Sequence, residues 1–435
     1  MVLLSFLMLL FFGVNSRPEL SLRHMALPAQ PFHPKLSFAE YQKETATFIS
    51  QQHWMMQGKE DTVLLKKLTP FVLKPAKNCP AGTTKPFKKG ILLTHGLTDS
   101  IHNLEPIAQF FQSQCFYVMT ILLPGMSSRP GELLNVHWQQ WVSTQQYGTD
   151  QLLQKVEEPY LLGYSLGATL DLLQASKQPV FKGLFLITPA IEITPAAAVA
   201  NLTNLVSWYD PRFAWLDIVP DEDPYKYSSF PFNAAYQMHQ LIEQLKVSNT
   251  ALLDQIPVFM LLSKEDSTVN SDSSLRYFLA LKHPDNRAIL YERTTQPLPA
   301  RVLQVKSDLP DRKILSLGHL GLIIPPDHDM YGDKGSFASC AHYFPGNMDA
   351  YKQCKAFKED YRGETTEENL AKGVIRRIGF NPFYADLLQQ MKLFIKSTEP
   401  AQSAVKLPIT DPIPTPIKAP INATIAPPLP LAPAP

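Results

Sequence analysis

The stretch PYLLGYSLGATL (159–170) holds Ser165 with a glycine two residues to either side, Gly163 and Gly167. A serine hydroxyl is a weak nucleophile until a base takes its proton, and that base must be oriented by a carboxylate. On a strand–turn–helix scaffold the partners follow the serine in the order acid, then histidine. Downstream, IPVFMLLSKEDSTVN places Asp266 just past a strong apolar run, where a triad acid belongs, with Glu265 as its neighbouring competitor. Four histidines follow. His283 closes a helical stretch ahead of a strand, and His328 and His342 lie in polar loop-like segments. His319, in ILSLGHLGLI, follows a β-like run and is the best-placed base, although 53 residues separate it from Asp266. A tetrahedral oxyanion also needs two backbone N–H donors. The residue after the nucleophile, Leu166, supplies one, and the His95-Gly96 turn of LLTHGLTDS presents the Leu97 amide as the other. His95 read as the base would precede the serine in the chain, and its loop suits a structural turn.

Those groups need a rigid frame. GILLTHG, CFYVMTILLPG, PYLLG, GLFLITPA, IPVFMLLS and RAILYE are short continuous apolar runs bounded by Gly and Pro. Such runs mark strands buried on both faces. Their alternation with helical segments such as NLEPIAQFFQSQ and VHWQQWVSTQQYGTDQLLQK predicts βαβ units and a mostly parallel sheet. PYLLG before Ser165 and LGATLDLLQASK after it make the strand and helix of an elbow. Upstream, Ser37 and Glu40 form a capping box for a helix to about Gln52, and TVLLKKLTPFVL reads as early strands. About sixty residues between GLFLITPAIEI and IPVFMLLS, including NAAYQMHQLIEQL, predict a cap insertion at about 195–250 over the strands' carboxyl ends. NPFYADLLQQMKLFIKS (381–397) is expected to be the last folded helix, with Asn381 as N-cap. Residues 401–435 are Pro-rich without aromatics or glycine and are expected to form an extended, disordered tail.

Taken together, ILLTHGLTDS, ILLPGMSSRPGELLNVHWQQW, YLLGYSLGATL, SKEDSTV and SLGHLGL resemble the α/β-hydrolase superfamily over roughly residues 88–325. Within it they are similar to the bacterial carboxylesterase and monoacylglycerol-lipase-like branch, also labelled serine aminopeptidase-like. The resemblance implies an α/β-hydrolase fold with helices on both faces of the sheet. It also implies Ser165 as nucleophile, Asp266 as acid, His319 as base, and Leu97 and Leu166 as amide donors. One departure is Pro124-Gly125-Met126-Ser127 where the family carries a PGHG-type turn. A C-terminal extension at about 326–400 has no counterpart in the minimal fold. The expected activity is cleavage of small ester or lipid-like substrates through an acyl-enzyme. An aminopeptidase or amidase on the same scaffold, or an envelope binding protein that keeps the fold without catalysis, are the alternatives.

Bulk properties bound the rest. A net charge of +1 over 435 residues gives no electrostatic footprint for nucleic acid. Val2–Phe12 is too short to span a bilayer and fits the core of a signal peptide ending near Ser16, although no Lys or Arg precedes it. Export to a secreted or periplasmic location is therefore expected, with retention as an N-terminal membrane anchor the alternative. Cys79, Cys115, Cys340 and Cys354 all follow that leader. None of them makes a zinc spacing, so no metal or other cofactor is expected. Sequence proximity favours the pairs Cys79–Cys115 and Cys340–Cys354. NLTN at Asn201 and NATI at Asn422 match glycosylation sequons.

Overall fold

Each central strand sends alternate side chains into two separate cores. Leu92, Leu161 and Leu186 enter one core, and their chain neighbours Leu93, Leu162 and Ile187 enter the other. The computed structural model describes residues 17–27, 34–56, 61–356 and 361–399. The leader through residue 16 and the Pro-rich tail lie outside the described residues. The strands are β1 (Val72–Leu73), β2 (Phe87–Thr94), β3 (Phe116–Ile121), β4 (Val156–Tyr164), β5 (Gly183–Ile187), β6 (Trp215–Asp217), β7 (Phe230–Pro231), β8 (Val258–Ser263), β9 (Arg287–Glu292), β10 (Val302–Lys306), β11 (Tyr361–Gly363) and β12 (Ile375–Arg377). Eight of them form one sheet in the order β1-β3-β2-β4-β5-β8-β9-β10, parallel throughout except that β1 runs antiparallel to β3.

From β2 the chain builds first to one side, as β3, and then to the other, as β4. The crevice at the carboxyl ends of β2 and β4 is thus the switch point where open α/β sheets bind ligands. Thr94 pairs in register with Gly163, so the two loops leaving these strands start side by side. The segment between β5 and β8 holds the small antiparallel pair β6–β7 and the helix Phe232–Lys246. Its outer surface leaves Leu205 and Trp208 exposed. The segment after β10 adds the parallel pair β11–β12 and the helices Met348–Lys355 and Tyr384–Thr398. Cys79–Cys115 and Cys340–Cys354 are disulfides, as sequence proximity favours. No helix among the described residues is long and apolar enough to cross a membrane.

The Ser37–Glu40 capping box is present and starts the helix Phe38–Gln52. Three local expectations need correction. Residues 62–68 are a helix rather than a strand. Asp61 caps it by accepting from Leu64 N–H, and Leu64 and Leu68 bury one stripe while Lys66 and Lys67 fall in its last turn. Only Val72–Leu73 of that stretch pairs as strand. The run before His319 makes isolated bridges at Ile314 and no strand. The last helix begins at Tyr384, with Phe383 in the N-cap position. Asn381 lies three residues earlier: its Nδ2 donates to Tyr291 Oη (3.0 Å) and Leu322 O (2.9 Å), and its Oδ1 accepts from Phe383 N–H, just before the helix, rather than from an amide inside it.

Candidate active site

Ser165 sits between β4 and the helix Leu166–Ala175 with φ 55° and ψ −112°, a strained conformation for a residue with a Cβ. The flanking glycines are steric requirements. A Cβ on Gly163 would lie 2.3 Å from the Ala168 nitrogen, and one on Gly167 would lie 2.2 Å from the Thr94 carbonyl oxygen. Helix, β4 and the loop after β2 therefore touch backbone to backbone around the serine. Ser165 N–H is consumed by Ile187 O (2.9 Å), which fixes the elbow to β5.

His319 and Asp266 meet. His319 Nδ1 lies 2.7 Å from Asp266 Oδ2, and the other carboxylate oxygen accepts from Thr268 N–H (2.8 Å) and Val269 N–H (3.0 Å). A carboxylate here accepts a hydrogen bond from Nδ1–H, which leaves Nε2 as the basic nitrogen. The backbone of His319 is held at both ends. Its N–H donates to Glu364 Oε2 (2.9 Å), and its carbonyl accepts from Tyr164 Oη (2.7 Å). Glu265 is occupied elsewhere, accepting from Arg293 N–H (3.1 Å) and Arg293 Nε (3.2 Å).

The loop after β2 lies against the serine, since a Cβ on Gly96 would come within 3.3 Å of Ser165 Cβ. Among the described residues no acceptor takes the Leu97 N–H, and Leu166 N–H is a first-turn amide with no partner one helical turn earlier. His95 is a structural tie. Its Nδ1 donates to Gly96 O (2.8 Å) and its Nε2 accepts from Leu123 N–H (3.0 Å), while burial lowers its pKa. Thr98 follows with φ 62°, held by Tyr227 N–H on its carbonyl (2.9 Å) and Lys226 Nζ on its hydroxyl (3.0 Å). The Pro124-Gly125-Met126-Ser127 turn is fixed by buried Glu132, which accepts from Gly125 N–H and Ser128 Oγ. His283, His328 and His342 do not join Asp266. His328 stacks on Tyr331, and His342 lies against Tyr343.

Ser165 and His319 open on one cavity of about 870 Å³. Its lining includes apolar side chains, Ile193, Ala197, Leu216, Phe230, Met238 and Val269, and polar ones, Thr98, Asp99, Asn103, Asp223, Lys226 and Tyr331, many of both kinds from the segment between β5 and β8. Tyr331 Oη donates to both oxygens of Asp223 (2.8 and 2.9 Å), and burial pushes that carboxyl up to about 7 against the Tyr225 and Tyr331 hydrogen bonds. Among the described residues no group of three His, Cys, Asp or Glu could hold a metal ion.

The sequence profile of the family described as serine aminopeptidase, S33, matches residues 85–295, from β2 through β9. With the parallel eight-stranded sheet and its elbow, the match decides the fold. The chain has the α/β-hydrolase fold. Among proteins of that fold it resembles the monoacylglycerol-lipase-like branch. It is 29% identical over 188 residues to the thermostable monoacylglycerol lipase of Bacillus sp. (strain H-257), covering 41% of this chain and 71% of that one. A solved chain from LipS and LipT, two metagenome-derived lipolytic enzymes, is 17% identical with TM-score 0.40, over 55% of this chain and 88% of that one. A monoacylglycerol lipase of Paleococcus ferrophilus is 19% identical with TM-score 0.37, over 47% and 86%. This α/β hydrolase is lipase- or esterase-like. Its residues 296–399 lie beyond the matched profile and include His319, Glu364 and Arg377.

Proposed function

We propose that this α/β hydrolase cleaves carboxylic esters by an acyl-enzyme mechanism, with Ser165 as nucleophile, His319 as base and Asp266 as the orienting acid. The observation that carries the reading is the 2.7 Å His319–Asp266 contact beside a strained serine on the same cavity. Ser165 Oγ attacks the ester carbonyl as its proton passes to His319 Nε2, and the oxyanion forms against the Leu97 and Leu166 amides. Collapse expels the alcohol, which takes the proton from His319. Water, deprotonated by His319, then attacks the acyl-serine and releases the acid.

A cavity lined by both apolar and polar side chains suits an amphiphilic ester, such as a monoacylglycerol or lysophospholipid, and the monoacylglycerol lipase relative supports that class. Secretion or periplasmic residence is supported by the two disulfides. Ser165→Ala is expected to abolish hydrolysis of p-nitrophenyl esters while leaving the melting temperature near the parent value. Retained hydrolysis would end the proposal. An aminopeptidase or amidase is the second reading, favoured by the description of the matching family. Aminoacyl p-nitroanilides assayed beside esters of graded chain length separate the two.

A further inference from the structure

Glu364 and Arg377 adjoin the His319–Asp266 pair at the ends of β11 and β12, Arg377 also lining the cavity on which Ser165 and His319 open. Glu364 is fully buried, and all its acceptor capacity is directed. Oε1 accepts from Arg377 Nε (2.6 Å) and Thr365 N–H (2.8 Å), and Oε2 accepts from Arg377 Nη2 (3.0 Å) and His319 N–H (2.9 Å). Arg377 Nη2 also reaches Thr268 Oγ1 (2.7 Å), two residues after Asp266. One ion pair therefore grips both the loop that carries the acid and the loop that carries the base.

The clasp extends along the His319 loop. Leu315 N–H donates to Arg362 O (2.8 Å), and Ser316 Oγ accepts from Glu364 N–H (3.1 Å) and Asn369 Nδ2 (2.9 Å). Gly318 is required for this approach, because a Cβ there would lie 2.1 Å from Glu364 Oε2. His319 itself follows no strand, and the central sheet reaches its loop through side chains, Tyr164 Oη donating to His319 O (2.7 Å) and Ser263 Oγ to Leu317 O (2.8 Å), while the His319 N–H is left to Glu364. Burial alone would raise the Glu364 pKa, but the Arg377 guanidinium and the hydrogen bonds hold it at about 2, so the clasp stays ionised across the working range.

We propose that Glu364 and Arg377 are positioning residues that hold the His319 and Asp266 loops in register, so that the segment after β10 completes the active site. The inference rests on the assignment of Ser165, Asp266 and His319 proposed above. A carboxamide at 364 must turn an NH2 toward Arg377 or the His319 N–H, and a methionine at 377 leaves Glu364 buried without its cation.

The test measures kcat and KM of Glu364→Gln, Arg377→Met and Thr268→Val on a short-chain p-nitrophenyl ester. Active sites are titrated with a fluorophosphonate, and amide exchange at His319 is followed. Expected are a 10- to 100-fold fall in kcat per titrated site for the first two, KM within threefold, and faster exchange at His319. Arg377→Lys should recover part of the loss, and Glu364→Gln/Arg377→Met should be no worse than the poorer single variant. Unchanged kcat with a lowered melting temperature would reduce the pair to a structural role and overturn the proposal. A raised KM at constant kcat would make Arg377 a substrate contact and also overturn it. If the buried variants fail to fold, Thr268→Val decides. A three- to tenfold fall in kcat is expected, and no fall refutes. Parent protein without ester hydrolysis or fluorophosphonate labelling would instead bring down the Ser165 assignment, and this proposal with it.

Discussion

Asp266→Asn perturbs the account at its most quantifiable point. In the proposed mechanism the Asp266 carboxylate orients His319 before it takes the serine proton. In the transition state the ring becomes imidazolium 2.7 Å, Nδ1 to Oδ2, from a carboxylate whose side chain is fully buried. With charge centres roughly 4 Å apart and an effective dielectric near 20, that attraction is about 4 kcal/mol. It exists only in the transition state, so its loss should appear in kcat as about a 10³-fold fall, with KM little changed. An asparagine oxygen can still accept from Thr268 and Val269 N–H, so the loop should keep its shape and the melting temperature should move little. The assay is steady-state hydrolysis of a short-chain p-nitrophenyl ester, with Glu265→Gln as control because that side chain serves Arg293. A fall below tenfold for Asp266→Asn, or an equal fall for Glu265→Gln, would refute the reasoning.

Other consequences follow from the same contacts. Gly167→Ala would drive a Cβ into the Thr94 and His95 carbonyls at 2.2 and 2.9 Å, and at least about 2 kcal/mol of lost stability is expected by urea titration, with lowered kcat. Parent-like stability would contradict the close approach. The Asp223 carboxyl titrates at about 7 in the fold against an ordinary 3.8, so the folded chain binds the extra proton between those values. The contribution is full below pH 4 and is lost as pH rises through 7, up to about 4 kcal/mol. Asp223→Asn cannot titrate, so its stability relative to the parent should be higher at pH 8 than at pH 5, and parallel urea curves would contradict the shift. Replacing Cys340 and Cys354 by serine frees a loop of sequence separation 14 and should cost up to about 3 kcal/mol. Because Arg377 N–H bonds Ser339 O, kcat should fall as well, and an unchanged kcat would uncouple the disulfide from the site.

The proposed nucleophile and acid were legible as candidates because each sits at a signal that local chemistry writes into sequence. Ser165 lies between two glycines whose Cβ atoms would strike backbone, and Asp266 follows the uninterrupted apolar run of β8. His319 was found by order and elimination, although the run before it forms no strand. Residues 62–68 misled because TVLLKKL is both β-branched and helical in period, and the Asp61 cap decides for helix. The Glu364–Arg377 clasp left no mark. Its members lie just after one three-residue strand and at the end of another, strands that exist only once paired, and a glutamate and an arginine 13 apart read as ordinary surface charge. Thr98 and Lys226 were missed likewise, since a positive φ at a threonine is imposed by contacts 128 residues away.

The central claim is that Ser165 carries the acyl group, and it is tested most directly by trapping. Oxidised full-length protein is treated with a fluorophosphonate, digested and mapped by mass spectrometry, with Asp266→Asn in parallel. One phosphonyl adduct per chain is predicted on the peptide containing Ser165, formed much more slowly in Asp266→Asn and absent in Ser165→Ala. An adduct on another residue, or an unmodified Ser165 in protein that hydrolyses esters, would contradict the account.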